Sequence, residues 1–336
     1  MRKRPPESGL IYGKQAMLEV VQKAVEAVLS LFLIGLVGYV LDKKKWFCPE
    51  TKAMLPQLVT LVTLPPYLCT NIMNTFNREQ LTGMFYGLAV PAISIVISFV
   101  IGLIGARLLK VRPGRKGLFS VAYATSNTIY IGLPVNIALF GPEALPYVLL
   151  YFFANTSFFW TIGNYYLSLD GEASKPVKII SADTFKRLFS PPLIGFLVGV
   201  LLVMLNLRPP EFIMFAAESV GSLTMPLATM FIGISIASSR LTNLKPDRDV
   251  IGLLFGRFII CPGSVIALLY VFDIPAAMAK VFIIQASLPV IASAVLLASY
   301  HKSDEQYASA AVTLSTLLSL VIIPVYMVII TLLNLN

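Results

Sequence analysis

Long apolar runs follow one another along the whole chain, with only short polar breaks between them. Each run is about 17–25 residues, the length an α-helix needs to cross the hydrocarbon core of a bilayer, and none alternates with the period of two expected of a membrane strand. Charged connectors such as DKKKWFCPETK (42–52) and KVRPGRKG (110–117) separate the runs. The pattern predicts ten spanning helices, over 25–41, 54–74, 84–109, 117–140, 144–168, 191–207, 212–238, 250–272, 279–299 and 307–332. The fold class expected is an all-α polytopic membrane protein, with the lipid bilayer as its solvent.

Composition agrees with this pattern. The 336 residues are 57% hydrophobic and 13% charged, with a mean hydropathy of +0.80, far from a soluble average. The longest connector, 168–190, is too short to bury a core of its own, so function is expected inside the bundle. Cys48, Cys69 and Cys261 lack any paired spacing, which argues against both a disulfide framework and a metal site. The net charge of +9 does not imply a nucleic-acid partner, because Lys and Arg gather in alternate connectors, those beginning at Asp42, Lys110, Ser168, Arg240 and His301. By the positive-inside rule that face is cytoplasmic and both termini lie outside, in a plasma membrane or, in a bacterium, the cell inner membrane. Arg2, Lys3 and Arg4 at the start run against this assignment, and five concordant loops outweigh one tail. The leader has no small-residue cleavage site and is read as retained.

The two halves of the chain overlay. LVGYVL (36–41) resembles LVGVLL (197–202), and Pro65 follows Gly38 by 27 positions just as Pro226 follows Gly199 by 27. Further on, GLPV (132–135) resembles SLPV (287–290) at a shift of 155 rather than 161. Five helices per half is an odd number, so two such copies would be inverted in the membrane, the arrangement of many secondary transporters. The organisation expected is an N-terminal extension over 1–24, a first repeat over 25–168, a cytoplasmic connector over 169–190 and a second repeat over 191–336.

Helices four and nine carry the candidate chemistry. Each holds a polar stretch and a proline, and a proline removes a backbone donor and frees a carbonyl that needs a partner or a watery cavity at membrane depth. Two broken helices crossing near the midplane would provide one.

At these residues the chain resembles the auxin efflux carrier family, which includes plant auxin exporters and bacterial malate or malonate permeases. The resembling stretches are LFLIGLVGYVLDKKKWF, VTLPPYL, SNTIYIGLPV, SPPLIGFLVGVLL, MPLATMFIGISIA, QASLPVIASAVLLASYH and STLLSLVIIP, spread over nearly the whole chain. The resemblance implies ten helices in two inverted halves, a crossover of helices four and nine at the substrate, a homodimer and elevator-type exchange of access. Carried over residue by residue, it implies substrate contacts at Asn127, Thr128, Tyr130, Gly132, Pro134 and Asn136 in the first half and Gln285, Ser287, Pro289 and Ser293 in the second. Their amides and hydroxyls suit a carboxylate, with half-helix N-termini adding positive dipole ends. Gluing helices together is the competing role for Asn127 and Gln285.

Arg257, in LLFGRFIICPG, is a cation well inside a predicted span, and such a charge is by default a functional candidate, here for binding substrate; snorkelling to the cytoplasmic edge or pairing with a carbonyl is the alternative. Glu218 reads as interfacial and His301, the single histidine, as a solvated residue at a cytoplasmic helix end. An enzyme is not expected, because no HExxH, GxSxG or paired catalytic aspartate appears. No cofactor is expected. The reading is a secondary transporter of a small organic anion, with a sodium-coupled symporter of the bile-acid type as the alternative and a channel as the remoter one.

Overall fold

The computed structural model describes residues 22, 25, 26, 29–79, 81, 85–171, 190–238, 247–333 and 335. The expected N-terminal extension, most of the 169–190 connector with its four lysines and arginines, and the basic residues Arg240 and Lys245 lie outside the described residues.

Among the described residues twelve helices run in order: α1 (29–43), α2 (Pro49–Thr75), α3 (Tyr86–Leu108), α4 (Lys116–Ala124), α5 (Gly132–Phe140), α6 (Pro142–Asp170), α7 (Pro191–Met204), α8 (Glu211–Ala237), α9 (Arg248–Leu268), α10 (Ala276–Ala286), α11 (Ser293–Tyr300) and α12 (Glu305–Leu332). Six of these, α2, α3, α6, α8, α9 and α12, are long and apolar enough to cross a membrane. The difference from ten has local causes. Two predicted spans, 117–140 and 279–299, are each split into two short helices, α7 is an apolar helix of 14 residues, and α1 begins at the margin of the described region.

Outward apolar faces, such as Leu33 and Val37 on α1, Ile194 and Leu201 on α7 and Val321 on α12, remain exposed, as they must where the solvent is lipid. Inward, close helix approach depends on glycine. A Cβ on Gly38 of α1 would lie 2.2 Å from the Met230 carbonyl oxygen on α8, and one on Gly199 of α7 would lie 2.9 Å from the Cys69 carbonyl oxygen on α2. These two contacts superpose under the shift of 161 residues read from the sequence. The helix ends repeat under the same shift. Lys44, Lys45 and Trp46 donate to Val40, Asp42 and Leu41 at the end of α1, and Leu205, Asn206 and Leu207 donate to Leu201, Val203 and Leu202 at the end of α7. Lys45 and Asn206 both take the left-handed conformation that ends a helix, with φ of 59° and 54°. Thr63 and Thr224, again 161 apart, hydrogen-bond to each other at 2.9 Å where α2 meets α8.

At one end of the bundle Arg115, just before α4, draws three helix starts together. Its Nε donates to Asp304 and its Nη1 to Asp247, each at 2.6 Å, and its guanidinium lies 4.8 Å from the Tyr307 ring centre. Asp247 and Asp304 each cap the helix they precede, accepting from Val250 N–H on α9 and Tyr307 N–H on α12. Asp170, at the end of α6, accepts from Leu118 N–H in the first turn of α4. His301 corrects the sequence expectation of a solvated residue. It is buried, with Nε2 at 2.8 Å from Asn164 Oδ1, because Gly171 allows the chain to close over its carbonyl, where a Cβ would meet it at 2.0 Å.

Candidate functional site

The two split helices meet at their breaks. α4 ends when Thr125 turns extended, with ψ of 137°, and α10 ends at Ala286. Between the stubs the two breaks lie antiparallel: Ser126 bridges Val290, Asn127 N–H donates to Pro289 O, and Ile291 N–H donates to Thr125 O. This short ladder satisfies backbone groups that the helices have given up, which an apolar interior demands. Side chains complete the account. Asn155 of α6 accepts from Ser126 N–H at 2.9 Å and donates to Ser126 O at 3.0 Å. Ser315 of α12 accepts from Val290 N–H at 3.1 Å. Each half thus holds its own break with a polar residue on its last helix, and the two lie 160 residues apart. The sequence reading named neither. Each stands among other small polar residues, Thr156 and Ser157 beside Asn155 and Thr313 and Thr316 beside Ser315, so no signal in the sequence set them apart.

The prolines behave differently from expectation. Pro134 occupies the first turn of α5, where a missing N–H costs little, while Pro289 lies in the extended break and offers only its carbonyl to the ladder. Pro134 therefore does not break its helix, and GLPV and SLPV do not occupy equivalent positions. The pairing of Ser126 with Val290 sets the equivalence of the breaks instead.

Of the predicted contact residues, Asn127 and Tyr130 line a polar cavity beside the ladder, together with Ile131, Ala292, Phe231, Ser235, Thr313 and Thr316. Its volume, about 30 Å³, is room for one water molecule. Asn127 is 7% exposed, and its amide makes no hydrogen bond to another described residue. Tyr130 is engaged: its hydroxyl lies 2.8 Å from Thr60 Oγ1 and its ring 5.3 Å from that of Phe231. Pro134 lines a second, apolar cavity of about 230 Å³ that runs between α1, α5, α8 and α12 and adjoins the first at Ile131, Ile232, Ile236 and Thr316.

The remaining predicted residues are packed away from both cavities. Gln285, fully buried, donates weakly to Thr128 O at 3.5 Å and leaves Oε1 without a partner. Gly132 is what lets it in, since a Cβ there would stand 2.5 Å from that Oε1. Asn136 donates back to Gly132 O at 2.7 Å. Ser287 donates to Ile284 O, Thr128 N–H donates to Ser126 O, and Ser293 opens α11. Arg257 neither snorkels nor reaches a cavity. It is fully buried in a π-turn of α9 and points at the Tyr123 and Ala286 carbonyls.

Ile131 and Ala292, the residues that precede α5 and α11, both line the polar cavity, and neither helix start is capped by a side chain. The site therefore combines an unpaired side-chain amide with the starts of two half-helices, and no acidic side chain lines it.

Comparison with known proteins decides the family. A family profile described as membrane transport protein, that of the auxin efflux carriers, matches residues 23–327. The chain belongs to that family. This membrane transporter is also similar, at 26% identity over 310 residues, to an uncharacterized transporter of Methanothermobacter thermautotrophicus, covering 91% of this chain and 98% of the relative. A second uncharacterized transporter, from Methanocaldococcus jannaschii, matches at 22% identity over 309 residues, with 90% and 97% covered. The matched region contains both breaks and Asn127, so the cavity lies within the part of the transporter that its relatives share in length.

Proposed function

We propose that this membrane transporter is a secondary carrier of a small organic anion, whose carboxylate is received by Asn127 between the N-termini of α5 and α11. The observation that carries this reading is the unpaired, nearly buried Asn127 amide facing a polar cavity at the meeting of two broken helices. An amide and two dipole ends stabilise a negative charge without a fixed countercharge, so the anion can also leave.

Alternating access follows from the internal repeat. Equivalent residues can touch each other only near a twofold axis, and Thr63 with Thr224 do so. An axis in the membrane plane would relate two inverted halves of five spans, with α4 and α5 together as one span and α10 and α11 as another. The 30 Å³ cavity lies between the breaks and α8 and α12, which line it with Phe231, Ser235, Thr313 and Thr316. An organic anion enters once those helices part from the breaks, and elevator-type movement of one body past the other is the form of exchange we favour. Homodimers in the plasma membrane, with both termini outside, complete the proposal.

Tracer uptake into proteoliposomes with malate, malonate, indole-3-acetate and taurocholate tests it. Saturable uptake and counterflow of at least one carboxylate is expected, and uptake of none would refute the reading. Asn127→Ala should raise the transport constant about tenfold, the loss of a hydrogen bond of about 1.5 kcal/mol to a charged group, and leave the unfolding temperature unchanged.

A further inference from the structure

We propose that Arg257 is a built-in cation of the crossing: it stands at the two half-helix C-termini where a coupling cation would otherwise bind, and so makes the transporter independent of Na+. The transport half of this inference rests on the carrier reading above; the site itself does not.

The geometry begins with the path of α9. At Gly256–Ile260 the helix widens into a π-turn, and a Cβ on Gly256 would fall 1.7 Å from the Tyr123 ring, so only glycine lets α9 lie this close to α4. The arginine that follows is thereby delivered between two helix ends. Its Nη1 donates to Tyr123 O, one residue before the end of α4, and its Nη2 to Ala286 O, the last residue of α10. The two acceptors come from corresponding ends of the two broken spans, so one side chain serves both halves.

Charge balance explains why an unpaired arginine survives there. Among the described residues no carboxylate lies within ion-pair distance of Arg257, which is 0% exposed. Each half-helix C-terminus carries about −0.5 of a charge, so the two ends together amount to about −1, enough to offset one guanidinium. In broken-helix carriers such ends, with freed carbonyls, are where a coupling Na+ or proton is held. Here the place is filled by a guanidinium tethered to the chain, which cannot leave as a bound ion would. With the negative ends compensated, the positive N-termini of α5 and α11 are left to act on the polar cavity. Cys261 also donates to Tyr123 O, and Tyr151 lies beside the guanidinium, which closes the place to solvent.

The test uses the full-length protein in detergent and in proteoliposomes, with Na+ exchanged for choline at fixed ionic strength. Wild-type unfolding temperature and carboxylate uptake should be the same in both salts. Arg257→Met should melt lower, lose uptake, and recover part of both on addition of Na+ or of millimolar guanidinium, because the emptied helix ends again accept a small cation. Arg257→Lys should retain Na+-insensitive melting, and it carries the test if the methionine variant does not fold. A wild-type protein, or a lysine variant, whose melting or uptake depends on Na+ would overturn the assignment. So would a folded methionine variant that matches wild type, or one that neither cation improves. If wild type moves no carboxylate, the carrier reading fails by itself, and the melting pattern still decides the role of Arg257.

Discussion

Replacing Asn155 by alanine removes the clamp on the first break. The side chain both accepts from Ser126 N–H and donates to Ser126 O, and Ser126 and Asn155 are each 0% exposed, so no water takes over. Ser126 N–H is left unsatisfied at about 1–3 kcal/mol, and Ser126 O, which keeps the bond from Thr128 N–H, loses a second one worth about 0.5–1.5 kcal/mol, a loss of about 1.5–4.5 kcal/mol. Ser315→Ala on the other side orphans a single group, Val290 N–H, and should cost about 1–3 kcal/mol. Asn155→Leu keeps the volume of the amide while abolishing both hydrogen bonds, which separates lost polarity from a new cavity. The measurement is equilibrium unfolding by SDS in mixed micelles for the three variants and wild type. The expected order is wild type, then Ser315→Ala, then the two Asn155 variants. If Asn155→Ala costs no more than Ser315→Ala, or if leucine restores wild-type stability, the breaks are not held by these side chains and the backbone account of the crossing is wrong.

Two further outcomes follow from the same geometry. Pro134→Ala should shift stability by less than about 1 kcal/mol and leave the transport constant unchanged, since the proline sits in a first helical turn rather than at a break; a large loss of transport with intact folding would return it to the substrate site. Arg115→Met should destabilise the protein by about 1–2 kcal/mol in thermal melts at neutral pH, through the loss of two charge-assisted hydrogen bonds at a partly exposed site. That difference should shrink on acidification. Burial works to raise the Asp247 carboxyl, but the bond from Val250 N–H and the Arg115 guanidinium outweigh it and hold the carboxyl below its ordinary value of 3.8. Its contribution is then complete above that value and is lost as pH falls through the lower, folded-state one. A difference between variant and wild type that stays constant down to pH about 3 would refute this.

Much of the architecture was legible because a bilayer imposes one length and one polarity on whatever crosses it. The apolar runs overlap every described helix, although those over 117–140 and 279–299 each hold two short helices rather than one, and the family followed from short motifs in a fixed order. The shift of 161 between halves was also readable from LVGYVL and LVGVLL, whose Gly38 and Gly199 each meet the backbone of a neighbouring helix. Asn127 was named in advance as a polar residue of the first break, and it lines the small cavity beside the ladder.

What the sequence could not decide was which polar groups satisfy each other. Proline marks a missing N–H wherever it stands, so GLPV and SLPV looked alike, although one starts a helix and the other lies in a ladder. Asn155 and Ser315 were indistinguishable from ordinary helix glue until the breaks they hold were in place. Arg257 looked like a ligand for substrate or a snorkelling cation, and became a counter-charge to two helix ends only through the π-turn and the approach allowed by Gly256. Composition and periodicity report the environment of a segment one residue at a time. The partner of a buried polar group is set by distances between segments far apart in the chain, and those exist only once the bundle has closed.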